Sequence, residues 1–213
     1  ELQWGNNLSE DPKKIFSITK NAINFIEENV KEKTPFYIQL SHYAIHSDLM
    51  MRKKTYEKYS KKVKGKIHNN IGLAAMTDDL DYSIGLIMRK LKELEIEDNT
   101  YIIYSSDNGS VPIIVPRRYY EQSYNYPLSR GKWDAMEGGI RVPMIISGPN
   151  IKPNSYSATN ISFSDLLPTI IDIICSKKIK NKSLDGGSFK NVLFGKSKKI
   201  KRSTKGLIFH VPY

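Results

Sequence analysis

The sequence has one cysteine in 213 residues, Cys175, which excludes an internal disulfide framework and any cysteine-built zinc cluster. Long apolar runs are missing as well, and none approaches the length that spans a bilayer, so no membrane span is expected. Acidic residues are scarce, 22 against 33 Lys and Arg, which leaves a formal net charge of +11. Much of the excess lies between Arg52 and Lys66 and between Lys196 and Lys205. Such a surplus is either a solvated lysine surface or an attraction to polyanions, nucleic acid or a sulfated or phosphorylated glycan. None of the recognised nucleic-acid motifs occurs, so nucleic acid is not expected as a partner. Internal repeats are absent. The chain also lacks an initial methionine, opens on Glu1-Leu2-Gln3-Trp4 and closes on the apolar segment Phe209 to Tyr213. Both ends read as cut, and an internal piece of a longer protein is expected. The missing signal peptide therefore says nothing about compartment.

What is present is a chain of globular composition, 39% hydrophobic and 26% charged, long enough for one good core. Its organising stretch is Tyr101-Ile102-Ile103-Tyr104-Ser105-Ser106-Asp107-Asn108-Gly109. The β-branched run predicts a buried strand that stops at a carboxylate, an amide and a glycine. In open α/β sheets, ligands sit beyond the carboxyl ends of strands. Successive strand side chains point to opposite faces, so Asp107 and Asn108 share a target only if the chain bends there, a bend Gly109 allows. Two hard oxygen donors would suit Ca²⁺ or Mg²⁺. Asp-Asn-Gly is equally the composition of a plain turn.

The remaining elements follow in order. Asp11-Pro12 reads as a helix start, and Ile15, Phe16, Ala22, Ile23, Ile26 and Val30 carry helical spacing to about Lys31. Thr34-Pro35 breaks that helix, and Phe36 to Ser41 predicts a strand that delivers His42-Tyr43-Ala44-Ile45-His46. A basic loop or short helix covers Met50 to Lys66, and a long helix is predicted from His68 to Glu95. Asp78, Asp79 and Asp81 lie in it and are expected as solvated or hydrogen-bonded carboxylates rather than metal ligands. Residues 110–131 form an excursion rich in Pro, Arg and Tyr, of a length that is usually functional or disordered. Gly131-Lys132 and Glu137-Gly138-Gly139-Ile140-Arg141-Val142-Pro143 follow, then a strand at Met144 to Ser147. Ser164-Asp165 caps a helix through Cys175, which is expected as a buried structural thiol. The lysine-rich stretch 177–205 is the one candidate linker, and a last strand is expected at Leu207 to Phe209. This order favours a mixed α/β sandwich with a mainly parallel sheet.

Three patterns line up: a histidine pair after a strand, Ser106-Asp107-Asn108-Gly109 after a strand, and Gly131-Lys132 before Glu137 to Pro143. That order resembles the sulfatase family, within the alkaline-phosphatase-like superfamily, from Pro12 to Tyr213. The resemblance implies an incomplete α/β alkaline-phosphatase-like sandwich, its mainly parallel central sheet flanked by helices, that forms part of a sulfatase catalytic domain. It implies a sulfuric ester hydrolase acting on a sulfated small molecule or glycan. Asp107 and Asn108 match the family's late pair of divalent-metal ligands, Ca²⁺ first and Mg²⁺ as the alternative. Lys132 matches the lysine that contacts a sulfate oxygen, and His46 the histidine near the sulfate and the leaving oxygen. A fixed cation opposite a sulfate, with a histidine to protonate the departing alkoxide, is sound chemistry. Glu137, Gly138, Gly139 and Arg141 are expected as scaffold, with an ion pair between Glu137 and Arg141, and His42 as structural. Arg117, Arg118, Tyr119, Tyr120 and Tyr124 are expected on the substrate side, because their loop joins the metal pair to Lys132. The family's placement is lysosomal, periplasmic or secreted, and nothing here chooses among them.

The chain also departs from the family. Ser47-Asp48 follows His46 where many members carry proline two residues on, and Trp133-Asp134 follows Lys132 where a small residue and threonine are frequent. Both bear on substrate subtype. The Cys-x-Pro-Ser-Arg or Ser-x-Pro-Ser-Arg motif, whose first residue becomes the formylglycine nucleophile, does not occur in these 213 residues. The chain carries half a site and alone is expected to be inactive. Two alternatives stand beside this reading: a phosphoric-ester hydrolase of the same superfamily, against which Glu137 to Pro143 weighs, and a non-catalytic basic module that binds sulfated glycans.

Overall fold

A computed structural model describes residues 5–112, 125–175 and 184–210. The chain divides into two compact units, residues 1–99 with 106–142 and residues 100–105 with 143–213.

The first unit is built on three helices. Helix α1 (Ile15–Lys31) follows a 3-10 turn at Pro12–Lys14, and Asp11 caps across that turn, its Oδ1 accepting the Phe16 N–H at 2.8 Å. Ile15, Ala22 and Ile26 form its buried stripe. The chain then passes Thr34 to Tyr43 without a strand partner among the described residues. Phe36, Ile38 and Leu40 are less exposed than Tyr37, Gln39 and Ser41, so the two-residue alternation of the expected strand persists without its ladder. Strand β2 (Leu49–Met51) instead pairs in parallel with β1 (Asn6–Leu8). Helix α2 (Lys53–Ser60) and helix α3 (Ile71–Glu93) follow, the latter capped by Asn70, whose side chain accepts the Leu73 N–H at 2.8 Å. Leu49, Met51, Ala75 and Met76 make the core between β2 and α3. Each full burial of a side chain such as Leu49 or Met76 stabilises by about 1.5–3 kcal/mol.

Two of the three α3 aspartates have partners, and Asp81 is exposed. Asp79 is fully buried and accepts the Arg52 N–H and Nε–H, each at 2.8 Å, and the Thr55 hydroxyl at 2.7 Å. Arg52 lies over the Phe16 ring at 4.3 Å and the Tyr82 ring at 4.9 Å, so one guanidinium ties α1, α2 and α3. Asp78 pairs with Lys58 at 2.9 Å. These are hydrogen-bonded helix carboxylates, as their sequence setting suggests.

The second unit holds β3 (Ile102–Ser105) and β4 (Met144–Ser147), antiparallel with Ile102 opposite Ser147 and Ser105 opposite Met144. The fold is the mixed α/β type expected, although the described residues carry one parallel and one antiparallel pair in place of a mainly parallel sheet. β3 is also less covered than its apolar run suggests, with Ile103 36% and Tyr104 38% exposed. Helix α5 (Leu166–Ile174) starts directly after Asp165, as expected, and is preceded by a 3-10 turn at Phe163–Asp165 capped by Ser162 and Asp165 in reciprocal fashion. Cys175 is exposed rather than buried, because it caps α5 where the backbone turns extended, beyond the helix's packed side.

Within the stretch expected as a basic linker, 177–205, the described residues 184–205 pack against α5. They form helix α6 (Lys190–Leu193), bury Phe189, and send Arg202 onto the buried Asp165. The carboxylate also accepts the Gly187 and Ser162 N–H groups, each at 2.8 Å. No strand forms at Leu207 to Phe209.

Candidate functional site

The chain leaves β3 at Ser105 and bends at Asp107 and Asn108, which is what both side chains need to face one target. The Ser106 hydroxyl donates to the Asn108 carbonyl at 2.9 Å and Asn108 Nδ2 to the Gly109 carbonyl at 3.0 Å. With its nitrogen engaged, the Asn108 side chain keeps Oδ1 for a cation. The Asp107 carboxylate is exposed and meets no hydrogen-bond donor among the described residues. One anionic and one neutral oxygen donor suit a hard divalent cation such as Ca²⁺ or Mg²⁺. They do not complete its shell: among the described residues no three His, Cys, Asp or Glu side chains gather, whereas Ca²⁺ takes about six to eight oxygens.

Gly109 acts by close approach. Its φ is not positive, so the bend does not need a glycine for that reason. Its N–H donates to the Gly139 carbonyl at 2.9 Å, and a Cβ on it would stand 1.7 Å from the Gly138 carbonyl oxygen. Gly138 and Gly139 are buried in the short helix α4 (Glu137–Ile140), and Gly138 N–H donates to the Ser129 carbonyl at 2.7 Å. The two glycines expected as a tight turn are instead where the 129–134 loop and the Asp107–Gly109 segment press against one backbone. Glu137 and Arg141 form the expected ion pair at 3.2 Å, exposed on both sides.

This packing brings Lys132 to the Asp107–Ser110 segment. Lys132 is half-buried, and its N–H donates to the Ser110 carbonyl at 2.9 Å, two residues beyond Asn108. The same carbonyl accepts Asn125 Nδ2 at 2.9 Å, and that amide also reaches the Arg130 carbonyl at 3.0 Å. Asn125 was not singled out by sequence reasoning, and nothing local marks it, since its partners lie 15 and 5 residues away. Arg130 pairs with Asp134 at 2.7 Å across the lysine, and this hydrogen bond holds the Asp134 carboxyl below the usual carboxylate range.

His46 sits on a separate exposed turn of the same unit. Its N–H donates to the Tyr43 carbonyl, and its Nδ1 lies 3.1 Å from the Ser47 carbonyl and 3.2 Å from the Ser47 hydroxyl. Lys13 Nζ donates to the same Ser47 carbonyl at 2.8 Å. The ring therefore offers Nε2 outward. No hydrogen bond among the described residues joins His46 to the Asp107–Lys132 cluster. His42 is different: neither ring nitrogen has a partner among the described residues, and burial pushes its pKa below the ordinary value. Arg117, Arg118, Tyr119, Tyr120 and Tyr124 lie outside the described residues.

Known proteins share this arrangement of sequence and fold. The Sulfatase family profile matches residues 8–174. A sulfatase of Formosa agariphila is 29% identical over 99% of this chain and 40% of its own length. Human steryl-sulfatase is 29% identical over 91% of this chain and 31% of its own, and bovine N-acetylglucosamine-6-sulfatase 36% identical over 55% and 20%. The crystal structure of Ps i-CgsB superposes with a TM-score of 0.73 at 28% identity, covering 85% of this chain and 38% of that one. The chain thus spans 40% or less of these relatives' lengths. On a profile covering most of its residues, and a fold shared with its structural neighbours, the chain belongs to the sulfatase family of the alkaline-phosphatase-like superfamily.

Proposed function

We propose that the complete protein is a sulfuric ester hydrolase, converting a sulfate ester and water into an alcohol and sulfate. Family membership supports the reaction class. The observation that carries the site is the Lys132 N–H on the Ser110 carbonyl, which seats the one half-buried lysine of that loop against the Asp107–Asn108 segment. Asp107 Oδ and Asn108 Oδ1 would hold a divalent cation, Ca²⁺ first, which would supply positive charge to the sulfate. Lys132 Nζ holds a sulfate oxygen and offsets the negative charge of the sulfuryl group while the S–O electron pair departs with the alkoxide oxygen. His46 Nε2 delivers a proton to the departing alkoxide oxygen. Arg117, Arg118, Tyr119, Tyr120 and Tyr124 line the substrate side. The nucleophile, formylglycine by the family's chemistry, is not among these 213 residues.

A sulfated glycan is the proposed substrate class. Relatives are named for N-acetylglucosamine and N-acetylgalactosamine 6-sulfates, and one structural neighbour, Ps i-CgsB, is known in complex with k-i-k-neocarrahexaose. Such substrates fit a periplasmic, secreted or lysosomal placement, and among the described residues no helix is long and apolar enough to cross a membrane. Sulfate release from 4-nitrocatechol sulfate by the complete protein tests the reading. Lys132→Ala is expected to lower kcat by about 10²–10³, and chelation followed by Ca²⁺ is expected to abolish and restore turnover in wild type but not in Asp107→Ala. A chelated enzyme of full activity, or a Lys132→Ala enzyme equal to wild type, would refute it.

One observation favours a second reading, a basic glycan-binding module without catalysis. Arg52, Lys54 and Arg89 stand within 4.9 to 5.7 Å of the half-exposed Tyr82 ring, and only Arg52 has a carboxylate partner among the described residues. Salt-sensitive, metal-independent binding to heparin with no turnover of any sulfate ester would select it.

A further inference from the structure

Trp133 is an exposed aromatic side chain on a backbone of positive φ, a combination found at no other described residue. Its side chain is 73% exposed, and its backbone holds φ at +75°. A single exposed aromatic is ordinary, as Tyr156 shows at 90%. A bulky residue in the left-handed region is not, because its Cβ crowds the backbone. The other described non-glycine residues with positive φ are Lys, Glu, Arg and Asn, and Trp133 is the only aromatic among them.

The surroundings enforce that backbone. Lys132 N–H is fixed to the Ser110 carbonyl on one side. On the other, Asp134 donates its N–H to the Gly131 carbonyl at 3.2 Å, accepts the Met136 N–H at 2.9 Å and pairs with Arg130. Gly131 and Gly139 admit no Cβ, which would stand 2.4 Å from the Ser110 carbonyl oxygen and 2.2 Å from the Asp134 carbonyl oxygen respectively. The loop is therefore locked, and the indole projects from it with no hydrogen bond or ring contact among the described residues. It adds nothing to packing that would offset its backbone. Local strain that the surrounding structure over-determines, with a side chain left free, points to function.

We propose that Trp133 is a specificity residue of the sulfatase site, a platform on which the pyranose ring bearing the sulfate stacks. The inference rests on the sulfatase reading of Lys132. The neighbouring residue holds the sulfate, so the indole lies within reach of the group the sulfate is attached to. A flat apolar body with one N–H donor at its edge matches a sugar, whose C–H face is apolar and whose rim carries hydroxyls. The platform is open and flanked by Lys132, Asp134 and Arg130, whereas a steroid or other wholly apolar alcohol needs an enclosed apolar pocket.

Calorimetric binding to the complete protein tests this, with N-acetylglucosamine 6-sulfate, 4-nitrocatechol sulfate and inorganic sulfate as probes. In Trp133→Gly, Kd for the sulfated sugar is expected to rise about tenfold, with inorganic sulfate changed less than twofold and Trp133→Phe restoring most of the loss. Lys132→Ala is expected to weaken all three probes. Equal sugar affinity in wild type and Trp133→Gly would overturn the proposal, as would no measurable binding of the sugar by wild type. An equal loss for the aryl sulfate would overturn the assignment to a sugar, leaving a platform for any flat ring. Loss of inorganic sulfate binding in Trp133→Gly would show a merely structural residue. A sulfated-sugar affinity that depends on Trp133 but not on Lys132 would retain the platform and refute the sulfatase reading of the lysine.

Discussion

Gly109→Ala should disconnect the Asp107–Asn108 segment from Lys132. The added methyl would be placed 1.7 Å from the Gly138 carbonyl oxygen and 3.1 Å from the Gly139 Cα, both backbone atoms with no rotamer to move. Relief requires the 106–110 segment to part from α4. That separation weakens the hydrogen bond from Gly109 N–H to the Gly139 carbonyl and strains the one from Lys132 N–H to the Ser110 carbonyl. Overpacking costs about 1–3 kcal/mol and each lost hydrogen bond about 1 kcal/mol, so the local cost is about 2–5 kcal/mol. Against a total stability of about 5–15 kcal/mol the domain survives, and the damage is local. Amide hydrogen exchange reads it directly: protection at Gly109, Lys132 and Gly138 should fall by at least about 30-fold, the equivalent of about 2 kcal/mol. Gly206→Ala is the control, since nothing lies within 4 Å of the Cβ it would acquire. Protection at Lys132 within threefold of wild type in Gly109→Ala would refute the reasoning.

Two further outcomes concern charge and pH. Arg202→Ala strips the partner from a fully buried carboxylate and should destabilise by about 3–5 kcal/mol, while Asp165→Asn with Arg202→Met together should cost less than Arg202→Ala alone, measured by urea denaturation. Burial pushes the Asp165 carboxyl up, but the hydrogen bonds from Arg202, Gly187 and Ser162 outweigh it and hold the folded pKa below the ordinary value. Its contribution is therefore present above the unfolded pKa of about 3.9 and lost as pH falls through the folded value, and wild type should lose more stability than Arg202→Ala in that window. His42 has its folded pKa lowered by burial, so stability is full above the unfolded value of about 6.5 and declines as pH falls below it. His42→Phe keeps the ring and removes two buried, unpartnered nitrogens, and it should be neutral or stabilising at pH 7.5 and flatten the decline between about pH 6.5 and 5. An unchanged slope in that variant would remove His42 as its source.

How much of this was legible in the sequence depended on the range of the interaction. Helices α1 and α3 were readable because their apolar spacing is local, and even the ends agree within a few residues, with Asn70 the cap where His68 was the expected start. The bend at Asp107 and Asn108 was readable for the same reason. What failed to show was whatever depends on partners far along the chain. Asp79 meets Arg52 across 27 residues and Asp165 meets Arg202 across 37, and no local pattern separates such a carboxylate from a ligand or a solvated one. Gly109, Gly138 and Gly139 were read as turn residues, because sequence records the missing Cβ but not whether φ or a neighbour's backbone forbids it. Apolar pattern also reports on neighbours that the described residues do not supply. A run apolar on both faces predicts cover on both. Yet Tyr104 on β3, Ile145 on β4, and Leu167 and Ile174 on α5 stand 38 to 71% exposed. The β-branched strand and the nearly uninterrupted apolar helix thus predict more cover than the described residues give them. The pair Asp107–Asn108 makes the same argument chemically, since two oxygen donors fall short of the about six to eight that a Ca²⁺ ion would take, and no three His, Cys, Asp or Glu side chains gather among the described residues.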